Sequence, residues 1–221
     1  MFIDDYKHKG LRKKLVKELK DKGIKDLFVL NAIETIPRHI FLDTAFTEQA
    51  YMDKAFQIGE GQTISQPYTV AFQTQLLEVQ KGDRILEIGT GSGYQASILC
   101  QLEAKLFSVE RIKSLSQNAA IVLRKLGFKP ALLIGDGSKG WKEHAPFQKI
   151  IVTAGAPIAP ESLLDQLDNG GILVIPIGDH KTQIMVRYRK DLKGIITREE
   201  HGTFKFVPLL GENAWKTTQK I

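Results

Sequence analysis

Three glycines at alternate positions, in Leu86-Glu87-Ile88-Gly89-Thr90-Gly91-Ser92-Gly93-Tyr94, constrain this 221-residue chain more than any other feature. They follow a short apolar run, residues 84–88, and precede a helix-like segment, residues 94–102. Glycines at such a junction let the backbone turn sharply and let a ligand approach with no Cβ in the way. The dinucleotide fingerprint asks for glycines at its first, third and sixth positions. Counted from Gly89 the third is Gly91 but the sixth is Tyr94, so the pattern is Glu-x-Gly-x-Gly-x-Gly, with an acid two residues ahead of the first glycine. No Gly-x-x-x-x-Gly-Lys-Ser/Thr occurs, which excludes a P-loop.

The neighbouring sequence repeats the strand-then-helix alternation. Apolar runs at 106–109, 131–134, 149–153 and 172–175 read as strands buried on both faces, with helices over 114–126 and 161–167. That alternation predicts an α/β fold built on a mostly parallel, doubly wound sheet. Beyond it, 183–189, the turn Asp191-Leu192-Lys193-Gly194, 195–199 and 205–209 predict antiparallel edge strands. Ahead of it, Leu11, Leu15 and Leu19 recur every four residues in a helix over 9–22 whose other face is cationic and solvated, and Gly23 stops it. A second helix over 25–35 ends at Pro37, and 38–64 reads as irregular cover. Ser65 is the expected N-cap of the next helix, with Pro67 in its first turn. With no repeats and no low-complexity linker, one compact domain is expected. Its parts are a helical extension and cover over 1–80, a ligand-binding core over 81–180 and a β addition over 181–221.

The net charge of +6 suggests nucleic acid or an anionic membrane as partner. Residues 7–25 hold nine cations against Glu18 and Asp21, so this segment carries +7 and the rest of the chain about −1. The basicity is therefore a property of one helix. Cys100, the single cysteine, has no partner for a disulfide and no Cys or His at metal-ligand spacing. No run approaches the roughly 20 apolar residues of a membrane span, and the N-terminus lacks a secretory apolar stretch. A cytoplasmic protein is expected.

Two more acids stand at strand ends. Glu110 lies 19 residues after Gly91 at the end of the second strand, where a carboxylate can accept both ribose hydroxyls. Asp136, between Gly135 and Gly137, follows the third strand. Glu87, Glu110 and Asp136 around a glycine loop suit a nucleoside with a cationic amino-acid portion and no phosphate. The arrangement resembles the S-adenosylmethionine site of a Rossmann-like methyltransferase. Further segments are similar to one family: Ile36-Pro37-Arg38 with Phe41, Gly61-Gln62-Thr63-Ile64-Ser65-Gln66-Pro67, Val109-Glu110-Arg111, Gly135-Asp136-Gly137, Ile151-Val152-Thr153-Ala154, residues 170–178 and Phe206-Val207-Pro208-Leu209. From about Val29 to Trp215 the chain resembles the protein-L-isoaspartate (D-aspartate) O-methyltransferases, the segment at 63–67 being the most diagnostic.

The resemblance implies S-adenosyl-L-methionine as methyl donor, no metal, and damaged proteins with isoaspartyl residues as partners. The α-carboxylate of the isoaspartyl residue would be methylated, and the ester would then cyclise to a succinimide. It assigns Ser65 as active-site serine, with Thr63, Ile64, Glu87, Gly89, Thr90, Gly91, Gly93, Glu110, Asp136 and Gly137 around the donor. A carboxylate is already ionised near pH 7, so a positioning hydroxyl at Ser65 suffices and no general base is needed. Val207 and Pro208 are candidates for a peptide-binding wall, as is the 36–41 segment. The family carries an acid where Gln148 follows Phe147. A monomer that binds neither nucleic acid nor membrane is expected. One rival is another methyltransferase, acting on a nucleic acid or a small molecule. For base methylation the usual Asn/Asp-Pro-Pro-aromatic segment is replaced by Thr153-Ala154-Gly155-Ala156-Pro157. Another is a nucleic-acid or membrane-surface binder acting through the basic helix.

Overall fold

The computed structural model describes residues 4–216. Helix α1 (Tyr6–Asp21) begins at Asp5, whose carboxylate accepts from the His8 backbone N–H at 2.9 Å. It closes where Gly23 N–H donates to Lys20 and Ile24 N–H to Leu19. Leu15 and Leu19 are buried, as the periodicity predicts, but the cationic face is not wholly solvated. Arg12 is only 4% exposed. Its guanidinium donates to both oxygens of Asp4 (2.6 and 2.9 Å) and to the Glu34 carbonyl (2.6 Å). Lys7 pairs with Glu48 and Lys22 with Asp53. The stripe of Leu11, Leu15 and Leu19 is too narrow to cover the helices behind it, so Arg12 turns inward onto Asp4 and the Glu34 carbonyl, while Lys7 and Lys22 pair at the surface.

Helix α2 (Leu27–Thr35) is capped by Asp26, which accepts from Phe28 and Val29. The stretch after it is more ordered than the irregular cover expected. Two 3-10 turns, Arg38–Phe41 and Thr44–Gln49, lead into a hairpin of β1 (Phe56–Gly59) and β2 (Gln62–Ile64). Its turn residues Glu60 and Gly61 have φ of 53° and 66°, the pair of positive values that matches strand twist in a two-residue hairpin. The Gly59-Glu60-Gly61 run is the sequence signal for this turn. Helix α3 (Pro67–Leu77) starts on Pro67, with Gln66 at the cap position and no side-chain capping bond. Ser65 is therefore not the N-cap, and its hydroxyl is left for another role.

The remaining elements build one sheet. In chain order they are β3 (Arg84–Ile88), α4 (Tyr94–Gln101), β4 (Lys105–Glu110), α5 (Lys113–Lys125), β5 (Ala131–Ile134), β6 (Phe147–Val152), α6 (Glu161–Asp165), β7 (Leu167–Gly178), β8 (Gln183–Lys190) and β9 (Ile196–Phe204). The strand order is β5-β4-β3-β6-β7-β8-β9, parallel from β5 to β7 and antiparallel from β7 to β9. The chain fills one side of β3 and then returns to the other with β6, so the topological switch lies between β3 and β6. Residues 205–209 do not extend the sheet. Gly155 N–H donates to Val207 O and Leu209 N–H to Gly155 O, each at 2.8 Å, which draws this segment across the strand ends.

Alternate residues of the buried strands feed two cores. Ile85, Ile151, Ile172 and Val174 pack under α3, α4 and α5. Leu86, Ile150, Val152 and Leu173 pack under α6 and the C-terminal segment. The helix expected over 161–167 is only five residues long, so loops cover much of this second face. A third cluster joins α1 and α2 to Ile64, Val70, Tyr94 and Ile98. Gln148, where the family carries an acid, accepts from Arg84 N–H at 2.7 Å; a carboxylate could accept the same bond, so the substitution keeps the contact. No helix among the described residues is long and apolar enough to cross a membrane.

The ion pair under α1 yields a stability prediction. Arg12→Ala strands Asp4 and the Glu34 carbonyl, and should cost about 3 kcal/mol in a urea melt at neutral pH. The Arg12 guanidinium holds the Asp4 carboxyl below its ordinary 3.8 despite partial burial. That part of the loss should be fully present above pH 3.8 and should fade as the pH falls through the lowered folded value.

Candidate active site

In-register pairing sets Ile88, Val109 and Val152 side by side at the carboxyl ends of β3, β4 and β6. The ladder runs one residue further: Gly89 N–H donates to Val109 O, Thr153 N–H to Ile88 O and Gly135 N–H to Glu110 O, at 2.9 to 3.0 Å. The next residues, Gly89, Glu110 and Thr153, form the floor of a cavity. The Thr153 hydroxyl lies 2.7 Å from Gly89 O, where a Cβ on Gly89 would collide with it. Gly89 has φ +94°, so both the space and the backbone conformation require glycine. Glu110 reaches over the loop, its carboxylate accepting from Gly91 N–H and Ile112 N–H at 2.9 Å each.

Thr63, Ile64, Ser65, Thr90, Gly137 and Pro208 complete the lining that the sequence anticipates, with Val207 beside them. Strand pairing of Thr63 with Gln57 and of Ile64 with Phe56 sets the hairpin beside the glycine loop, where Ile58 comes close to Gly91. Glu60, in the hairpin turn, accepts from Ser114 Oγ at 2.9 Å and so ties the turn to α5. A second cleft adjoins the first. Thr63, Ser65, Thr153 and Val207 line both, so the half-buried Ser65 stands at their junction. Among the described residues its hydroxyl bonds to no other group of the protein.

Three predicted donor-site residues lie outside the cavity wall. Glu87 is fully buried beneath the loop, where Oε2 accepts from Ser108 Oγ at 2.5 Å and Oε1 has no partner. Burial pushes its carboxyl up to about 8, with the Glu110 charge adding to the rise and the Ser108 bond opposing it. Glu87 is thus largely protonated at neutral pH and does not present an anion to a ligand. It holds the floor through Ser108, which is 2.6 Å from Thr90 Oγ1. Gly93 starts α4 against α5, where a Cβ would crowd Ala119. Asp136 bonds the backbone and hydroxyl of Ser138 and the Glu212 N–H. Burial raises its carboxyl, but these donors outweigh burial and hold it below the ordinary range. It latches the C-terminal turn, while its neighbour Gly137 faces the cavity.

The 36–41 segment is not a peptide wall. Ile36 and Phe41 belong to the core with α1 and α2. Arg38 is fully buried, donating to Ala50 O at 3.0 Å with its guanidinium 4.8 Å from the Tyr94 ring centre. Sequence reading did not assign several lining residues to the site, Thr153 of the floor among them, and it gave no role to Gln73 and Gln95. Gln73 donates from Nε2 to Val152 O at 2.9 Å, fixing α3 to the end of β6. Gln95 donates to Thr74 Oγ1 at 3.0 Å and leaves its buried Oε1 unpartnered. A buried amide among Val70, Ala71, Leu76 and Leu77 was the available signal for Gln73; nothing local marks Gln95.

Residues 10–214 match the family described as Protein-L-isoaspartate(D-aspartate) O-methyltransferase (PCMT). A protein-L-isoaspartate O-methyltransferase of Cytophaga hutchinsonii is 56% identical over 219 residues, 99% of each chain. That of Dictyoglomus thermophilum is 49% identical over 96% of each. Among solved structures, a protein-L-isoaspartate O-methyltransferase superposes with a TM-score of 0.82 at 29% identity, covering 92% of this chain and 67% of its own. One from Plasmodium falciparum, in complex with S-adenosyl-L-homocysteine, superposes at 0.79 and 26% identity over 93% of this chain and 99% of its own. With the glycine floor, Glu110 and Ser65 arranged as described, this chain belongs to the protein-L-isoaspartate (D-aspartate) O-methyltransferase family.

Proposed function

We propose that the chain transfers a methyl group from S-adenosyl-L-methionine to the α-carboxylate of L-isoaspartyl residues in damaged proteins, with Ser65 positioning that carboxylate. The observation that carries this reading is the meeting of two cavities at Ser65. The cavity over the glycine floor fits the donor. Glu110 keeps free lone pairs for ribose hydroxyls after accepting its two backbone bonds, and the buried Gln95 Oε1 is an acceptor awaiting a donor. The donor, when bound, supplies an electrophilic methyl group on a cationic sulfur.

The residues of the chain then have three tasks. The glycine floor admits the donor closely, because Gly89 puts no side chain between it and Thr153. The hairpin and residues 207–210 enclose the site and exclude water. Ser65 donates to one oxygen of the acceptor carboxylate, leaving the other free to attack. Proximity of this kind can lower a barrier by several kcal/mol, up to about 7 to 11. The acceptor is ionised at neutral pH, so no residue has to remove a proton.

The same reading takes the enzyme as a cytoplasmic monomer whose partners are damaged proteins, not nucleic acid. The burial of Arg12 against Asp4, with Lys7 and Lys22 engaged at the surface by Glu48 and Asp53, leaves fewer free cations along α1 and its end, which supports it. In this reading 1–80 is a helical extension and cover, 81–180 the donor-binding core and 181–221 a C-terminal β addition, all in one compact domain.

Incubation with methyl-labelled S-adenosylmethionine should label a peptide containing isoaspartate and leave its normal-aspartate twin unlabelled; equal labelling would overturn the assignment. Ser65→Ala should lower kcat about 10- to 100-fold, the worth of one hydrogen bond to a charged group, while S-adenosylhomocysteine binds unchanged by calorimetry. Glu87→Gln probes the floor. The folded carboxyl titrates near 8 against 4.5 for the free group, so the native state holds the extra proton and wild-type stability falls between these values. The slope is on the order of 1 kcal/mol per pH unit. The variant's melting temperature relative to wild type should therefore rise with pH across that window and level off above it. A pH-independent difference would mean that Glu87 is ionised in the fold.

A further inference from the structure

The cleft on the far side of Ser65 has a wall that methyl transfer alone does not require. Tyr68 and Phe72 of α3 face Phe204, at the end of β9, and Phe206 follows it. Ring centres are 5.6 Å apart for Tyr68 and Phe72, 6.4 Å for Tyr68 and Phe204, 5.4 Å for Phe72 and Phe204 and 6.4 Å for Phe204 and Phe206. Tyr68 and Phe204 lie within 15° of parallel. All four rings are only half-buried, and all line the cleft. Contiguous aromatic surface left open in a concavity marks a place where an apolar group is received.

We infer that this shelf is a subsite for an apolar, preferably aromatic, side chain within two residues of the isoaspartyl linkage. The inference rests on the methyl-transfer reading above. Continuity with the reaction point commits the occupant: Ser65 and Val207 belong to both the cleft and the donor cavity, so whatever presents a carboxylate to Ser65 continues along the shelf. Charge agrees with this. Among the described residues Lys205 is the one charged residue lining the cleft, so an incoming carboxylate meets a cation there. The backbone agrees as well. Among the described residues strand β9 pairs only with β8, so its outer edge can receive an extended chain. Gln183 holds the shelf in register by accepting from Phe206 N–H at 2.8 Å. An extended peptide alternates its side chains, so the residue holding the carboxylate and a near neighbour can face Ser65 and the rings together.

The test uses the full chain and isoaspartyl peptides that differ only in carrying Phe or Asn at the flanking positions. Wild type should methylate the Phe-flanked peptide with kcat/KM about tenfold higher, chiefly through KM, the worth of partly burying one aromatic side chain. In Tyr68→Ser/Phe204→Ser the ratio between the two peptides should fall below about twofold. Calorimetric binding of S-adenosylhomocysteine serves to show that the variant is folded; if it is not, the polar and bulkier Tyr68→Gln/Phe204→Gln takes its place with the same ratio as readout. Equal kcat/KM for the two peptides with wild type, or a ratio that survives in the variant, overturns the shelf and leaves methyl transfer standing. Failure to label either isoaspartyl peptide overturns the methyl-transfer reading itself.

Discussion

Everything at the site depends on three parallel strands ending abreast. Because β3, β4 and β6 pair in register, the residues just past their ends lie one strand spacing apart, about 4.8 Å. At that separation the hydroxyl of Thr153 occupies the space a side chain on Gly89 would need. Glu110 can then turn back to the glycine loop and satisfy two backbone N–H groups with one carboxylate. The donor cavity is a consequence of this spacing: a buried parallel sheet cannot continue into water, and at its carboxyl edge the loops must part.

Polar side chains away from the cavity hold its walls. Asp136 pins the turn around Glu212, Gln183 holds Phe206, and Gln73 ties α3 to the end of β6. Arg38 braces the 50–54 loop and packs over Tyr94, itself a cavity residue. Each bond joins segments distant in the chain. Together they bring the hairpin, the glycine loop and the 205–210 segment to one place around Ser65.

Much of this was legible in the residues, for identifiable reasons. Buried strands are written as apolar runs, and the glycine loop as alternate glycines. Ser65 was placed by its motif, though the helix cap expected of it falls to Gln66 because Pro67 begins the helix. Other readings failed where an isolated pattern has two physical meanings. Glu87, an acid next to a ligand loop, reads as a ligand group until its burial is known. Arg12 reads as a solvated cation until Asp4 is seen beside it. Residues 205–209 have strand-like alternation, yet their hydrogen bonds go to Gly155 across the strand ends.

The sequence by itself determined the α/β alternation, the position of the glycine turn and the family, because these depend on local backbone preference and on motifs contiguous in the chain. Tertiary structure alone decided which acids face the cavity, that Ser65 stands between two clefts, and that four aromatic rings from α3 and the end of β9 form one wall. The physical reason is common to all three. Burial, protonation state and the meeting of two surfaces are set by groups far apart along the chain, and no local pattern records them.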